Sequence, residues 1–277
     1  MERAQLNGTV LEYEARGAGE PIVLIHGGVI AAAFAPLLSE PSLAGRYRLV
    51  NYHRRGYAGS QRADGPVSIA QQAADCRALM SMLKIPAAHI VGHSYGGSIA
   101  MQLALDAPAA VHTLSLLEPA LLTVPSGPLF AAAMEPVVQL YGEGNVDGAI
   151  DGFLQVVCGT GYRAVVEPVL PDAFAQAIAD ADTLFQVELP ALPEWIFTRA
   201  EGQRIGQPTL SVLGENSSAV WPGFGEGSDL LAQWLPRVER AVIPGATHLL
   251  QMQNPGAVAS ALGTFFARYP LPVNAGA

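Results

Sequence analysis

The chemistry begins at Val91-Gly92-His93-Ser94-Tyr95-Gly96-Gly97, where a serine stands between glycines two residues to either side. An apolar run precedes the motif and a stretch at helical spacing follows it. Gly-x-Ser-x-Gly between a strand and a helix is a nucleophile elbow. The serine occupies a strained turn, the glycines leave room for neighbouring backbone, and the hydroxyl is lifted to the carboxyl edge of a sheet. The same five residues elsewhere in a chain would be no more than a small-residue turn, and the flanking strand and helix separate the two readings. Serine alone is a poor nucleophile near neutral pH. It needs a base within hydrogen-bond reach, and the base needs a third group to fix its tautomer.

The elements that must position such a serine follow from an alternating pattern. Residues 10–14 alternate as an amphipathic strand, and residues 17–19 turn the chain into the continuous apolar run 21–25. Runs of this kind suit strands covered on both faces. They recur at 48–52, 89–91, 113–117, 209–213 and 241–243, with helical spacing over 69–83 and 98–107 between them. Strand, turn, helix, strand predicts an α/β fold, a mainly parallel twisted sheet with helices on both faces. The alternation stops between about 118 and 206. There Asn145 is an N-cap for apolar residues at 146, 149, 150, 153, 154 and 157, and Pro171-Asp172 opens a second helix running to Phe185. Shorter helical pieces are expected near 129–141 and 194–198. Residues 119–205 therefore read as a helical cap inserted into a core of 1–118 and 206–277.

The chain resembles the α/β-hydrolase superfamily, in its capped branch of esterases and lactonases. Four motifs carry the resemblance over nearly the whole length. His26-Gly27-Gly28 after the first buried strand looks like the oxyanion loop. Arg54-Arg55-Gly56-Tyr57-Ala58-Gly59-Ser60 resembles a loop of similar proteins, with His53 where aspartate is more usual. The elbow at Ser94 is the third, and Ile243-Pro244-Gly245-Ala246-Thr247-His248 looks like the catalytic-histidine loop.

Of six histidines, the resemblance makes His248 the base; His26 reads as a loop brace, His93 points away from the tip of the turn, and His53, His89 and His112 read as structural. The acid departs from the common pattern, because Ser217 stands about where relatives carry aspartate. Some relatives supply the acid after the preceding strand, which here ends at Glu118. Glu118 is favoured over Glu215 and Asp229, and it keeps the order Ser, acid, His. As a bland alternative, a carboxylate at a strand end caps backbone donors. The resemblance also implies an oxyanion hole from the backbone N–H groups of Tyr95 and Gly28. The reaction implied is hydrolysis of a carboxylic ester or lactone through an acyl-enzyme. Its rivals are C–C bond hydrolysis or perhydrolysis on the same triad, and a non-catalytic ligand-binding protein of the same fold. Epoxide hydrolysis and dehalogenation are disfavoured, since such relatives carry aspartate at the elbow. Trp195, Phe197, Trp221 and Phe224 either line a pocket or pack the cap onto the core.

Composition limits partners. The 277 residues carry 15 Lys+Arg against 24 Asp+Glu, a net charge of −9, and only Lys84 is lysine. This balance argues against nucleic acid or an anionic membrane as partner. Half the residues are hydrophobic and 14% charged, against about 25% typically, so a large core is expected. Residues 119–205 hold 11 acidic residues and three arginines, which concentrates a net −8 in the cap and predicts a bias against anionic substrates. The near-neutral remainder is compatible with a homodimer through an apolar face. Cys76 and Cys158 lack metal-ligand spacing and read as buried free thiols. No Gly-x-Gly-x-x-Gly, Walker lysine or HExxH appears, so neither cofactor nor metal is expected. With no signal peptide and no apolar run of membrane length, a cytoplasmic protein is expected.

Overall fold

The computed structural model describes residues 1–63 and 65–272. Eight strands form one sheet: β1 Glu2–Leu6, β2 Thr9–Arg16, β3 Glu20–Ile25, β4 Tyr47–His53, β5 Ala88–His93, β6 Val111–Leu117, β7 Thr209–Gly214 and β8 Val238–Ile243. Their order is β1-β2-β4-β3-β5-β6-β7-β8. The β1–β2 and β2–β4 pairs are antiparallel and all others parallel. The sheet is thus mainly parallel, as the apolar runs predict, with an antiparallel edge. The strand β1 is not among the apolar runs of the sequence: its residues are mostly exposed and polar, and pairing to β2 holds it.

The continuous apolar character of the central strands is explained by what covers them. Along β3, Val23 and Ile25 face a cluster built with the helices Ile69–Met82 and Tyr95–Asp106, while Ile22 and Leu24 face another built with Pro255–Arg268. Successive side chains of a strand point to opposite faces, so a strand covered twice must be apolar at every position.

Between β6 and β7 the chain is helical and forms a cap, with Gly127–Gly142 and Val146–Cys158 as its longest helices. Asn145 caps the second, accepting from the Gly148 N–H at 3.1 Å, and Ala149, Ile150, Phe153, Leu154 and Val157 are buried. The cap's own apolar cluster takes in Val29, Ile30 and Ala33 from the loop after β3 and Leu249 and Met252 from the segment after β8. It is therefore docked on the two loops that the sequence assigns to chemistry.

Two expectations in the cap need correction. The helix expected from Pro171 to Phe185 is broken: Ala173–Ala179 ends at Asp180, and the chain resumes as a widened π turn at Thr183–Glu188. Asp180 is buried, accepts from the Ala58 N–H at 2.9 Å and pairs with Arg62 at 2.6 Å, so a core contact overrides helical continuity. Residues 194–198 are not helical. Thr198 instead forms a capping box with Glu201 and starts the helix Arg199–Arg204.

Candidate active site

Ser94 sits directly after β5 with φ 51° and ψ −123°, a backbone conformation that costs about 1–3 kcal/mol unless the surroundings impose it. They do so here. The Ser94 N–H donates to Leu117 O at 3.0 Å, and its carbonyl accepts from Gly97 at 2.8 Å and Ala120 at 3.0 Å. The glycines are steric requirements. A Cβ at Gly92 would lie 2.4 Å from Gly96 O, and one at Gly96 would lie 2.1 Å from Ile25 O. Only a chain without side chains at both positions can bring the helix Tyr95–Asp106 this close to β3 and β5.

Glu118 follows β6 with φ 48° and is buried. Its Oε2 lies 2.7 Å from His248 Nδ1, and its Oε1 accepts from the Gly214 N–H at 2.7 Å. The capping contact and the contact to histidine belong to the same carboxylate. Of the other acids, Glu215 accepts from the Gly245 N–H at 2.8 Å, and Asp229 pairs with Arg240 at 2.7 Å on the surface. Ser217 is buried with its Oγ unpartnered among the described residues. The structure thus brings Glu118 to His248 and takes Glu215 and Asp229 elsewhere.

Two residues to which the sequence assigns no part beside the histidine hold His248 in place. Phe224 stacks on it, 4.2 Å between centroids at 18°. His93 Nε2 lies 2.8 Å from His248 O, so that nitrogen carries the proton. Burial and the neighbouring His248 push His93 well below the usual histidine range, and it stays a neutral donor. Ser94 and His248 open onto the same cavity.

Gly28 follows β3 in the loop His26-Gly27-Gly28. Its N–H and that of Tyr95, at the first position of its helix, have no acceptor among the described residues. His26 braces the loop: its Nδ1 lies 2.7 Å from Gly27 O, and its Nε2 accepts from the Arg54 N–H at 2.9 Å. Burial, reinforced by the Arg54 charge, holds His26 well below its ordinary value. Arg54 is itself buried and donates to His26 O at 2.9 Å, Gly27 O at 2.8 Å and Gln72 Oε1 at 2.6 Å. It also pairs with Glu188 of the cap. Burial lowers the guanidinium, and its surroundings, the Glu188 carboxylate foremost with Tyr57 and Tyr95, more than offset this. Tyr57 completes the assembly, donating to Glu188 Oε2 at 2.8 Å and accepting from the Val29 N–H at 3.2 Å. Where His53 replaces an acid, Glu12 reaches in from β2, 2.7 Å from His53 Nδ1 and 3.1 Å from the Gly59 N–H.

The cavity over Ser94 is small, about 50 Å³, and mainly apolar, with Leu121, Phe130, Phe153, Leu192, Trp221 and Phe224 in its wall. Of the four aromatic candidates, Trp221 and Phe224 line it. Trp195 stacks on Phe197, 5.3 Å between centroids, and donates to Gln102, so this pair packs the chain. Seven of the cap's acidic residues are exposed, and Glu188 is the one carboxylate in the cavity wall among the described residues. Cys76 and Cys158 are free and buried. Among the described residues no His/Cys/Asp/Glu cluster suits a metal, and no helix is long and apolar enough to cross a membrane.

An eight-stranded sheet with this order, an elbow after β5 and a helical cap after β6 define an α/β hydrolase. The sequence profile of the alpha/beta hydrolase fold matches residues 20–255, and the chain belongs to that family. An enol-lactonase from Burkholderia xenovorans LB400 superposes with a TM-score of 0.77 at 22% identity, over 96% of this chain and 100% of the other. A solved N-acyl homoserine lactone degrading enzyme gives 0.73 at 24% identity, over 95% and 100%. Likeness at these identities establishes the fold. A dihydrolipoyllysine-residue acetyltransferase component of an acetoin cleaving system from Pseudomonas putida is 26% identical over 91% of this chain and 65% of its own length. The chain spans 40% to 65% of the length of the first curated relatives it matches.

Proposed function

We propose that the protein is a serine hydrolase that cleaves a carboxylic ester or lactone. In this reading Ser94 is the nucleophile, His248 the base and Glu118 the acid. His248 Nε2 takes the Ser94 proton as Oγ bonds to the carbonyl carbon, and Glu118 keeps the proton on Nδ1 and stabilises the imidazolium. The negative charge that develops on the carbonyl oxygen is received by the N–H groups of Gly28 and Tyr95. His248 returns the proton to the leaving alcohol, and water repeats the sequence on the acyl-serine. Residues 119–205 act as the cap that roofs the cavity over the core of 1–118 and 206–277. The small apolar cavity favours a small, neutral substrate.

The observation that carries this reading is the 2.7 Å contact between Glu118 and His248, beside a serine held at φ 51° on an elbow that opens onto the same cavity. Two solved proteins of this fold add that lactone cleavage occurs on it. The test is a panel of esters and lactones of graded acyl length, run on the parent and on Ser94→Ala. The variant is expected to lose about three orders of magnitude or more in kcat/KM with an unchanged circular dichroism spectrum. Equal turnover by the two proteins overturns the assignment.

A further inference from the structure

Glu188 is a buried carboxylate in the wall of an otherwise mainly apolar cavity, and the reaction as described does not use it. Its Oε1 accepts from Arg54 and its Oε2 from the Tyr57 hydroxyl at 2.8 Å. A carboxylate offers about four acceptor positions, and among the described residues no third donor reaches it. Its location is defined by Gly28. A Cβ at Gly28 would lie 3.2 Å from Glu188 Oε2, so the absence of a side chain there leaves the carboxylate oxygen beside the oxyanion N–H.

The compensating positive charge lies behind the loop. Arg54 is held by His26 O and Gly27 O and is not part of the cavity wall, whereas Glu188 is. The groups around His248 are Glu118, His93 and Phe224, none of which touches the carboxylate of Glu188. His248 must face the leaving group to protonate it, which leaves Glu188 beside the acyl half of the substrate.

Resting on the hydrolase reading above, we propose that Glu188 is a specificity-determining residue. It selects acyl groups that carry a hydrogen-bond donor, a hydroxyl or an N–H, on the atom next to the scissile carbonyl, and it rejects acyl groups with a carboxylate there. In a mainly apolar cavity, a hydrogen bond to an ionised acceptor outweighs a neutral one, and a second carboxylate meets both repulsion and desolvation.

The test compares kcat/KM for three phenyl esters: 2-hydroxypropanoate, its near-isostere 2-methylpropanoate, and the malonate monoester, in the parent and in Glu188→Gln. In the variant Arg54 retains the amide oxygen, so the NH2 faces Tyr57 and the cavity, and an acceptor becomes a donor. Ratios between esters in one protein cancel any loosening of the oxyanion loop, and ratios between proteins cancel the esters' intrinsic reactivity. The hydroxy-to-methyl ratio is expected to fall by about tenfold or more in the variant, while the malonate-to-methyl ratio rises. If Glu188→Gln does not fold, Tyr57→Phe serves, because it keeps the charge and frees an Oε2 position: the hydroxy-to-methyl ratio is then maintained or raised. Ratios unchanged in Glu188→Gln, or a hydroxy preference lost in Tyr57→Phe, overturn the proposal while leaving the hydrolase reading intact. If the parent turns over none of the three, both readings are overturned.

Discussion

Replacing Glu118 by Gln exchanges one carboxylate oxygen for an NH2 group and should cost most of the activity. The carboxylate is held at both ends: Oε1 accepts from the Gly214 N–H at 2.7 Å and Oε2 faces His248 Nδ1 at 2.7 Å. In Glu118→Gln the Gly214 N–H still requires an acceptor, so the amide oxygen takes that place and the NH2 turns to His248. Nδ1 must then be the unprotonated nitrogen, and the proton moves to Nε2. An imidazole in that tautomer cannot accept a proton from Ser94. A misassigned tautomer in a triad with intact geometry lowers kcat by about 10⁴-fold, or about 5 kcal/mol at 1.36 kcal/mol per decade. Because size and backbone contact are kept, thermal stability should change little. The assay is steady-state hydrolysis of a short chromogenic ester, with Glu215→Gln as the control. The Glu215 carboxylate caps the Gly245 N–H and stays away from His248, so that variant should stay within about threefold of the parent. A kcat within about threefold for Glu118→Gln refutes the reasoning.

Two further outcomes test the scaffold. A Cβ at Gly96 would lie 2.1 Å from Ile25 O and 2.4 Å from His26 O, so Gly96→Ala should lower the melting temperature by about 6 °C or more; an unchanged transition contradicts the packing of the elbow. At the other end of the sheet, burial outweighs the pull of Glu20 and lowers His89 from 6.5 to about 4. A lowered histidine gives stability that is complete above the unfolded value and is lost as pH falls toward the folded one. Between pH 7 and pH 5, urea unfolding should therefore show the parent losing about 2 kcal/mol more than His89→Gln, and equal losses would contradict this.

The legible parts of the molecule are those whose physics is local. The elbow shows because close backbone approach demands glycine at 92 and 96, and the parallel strands show because burial on both faces leaves runs with no polar alternation. The place of Glu118 at the end of an apolar strand run is readable locally, and the resemblance to relatives with an acid after that strand marks it as a candidate beside Glu215 and Asp229. What stayed hidden depends on distant contacts. Glu188 carries no sequence signal, because its meaning comes from Arg54 and Tyr57, 134 and 131 residues away. The π turn that places it arises where Asp180 is drawn to Ala58 and Arg62, an interaction that no helical periodicity contains. The cap's charge is visible in the sequence as a sum, but its placement is not: seven of its carboxylates are exposed, and the cavity meets one, paired with arginine.

The central claim is that an acyl group passes through Ser94. It is tested most directly by acid-quenching the protein within its first turnovers of a 4-nitrophenyl ester and measuring the mass of the intact chain and of its peptides. One acyl mass is expected on the peptide containing Ser94, and none in Ser94→Ala. Ester turnover with no adduct at Ser94 under any quench, together with undiminished turnover by Ser94→Ala, would contradict it.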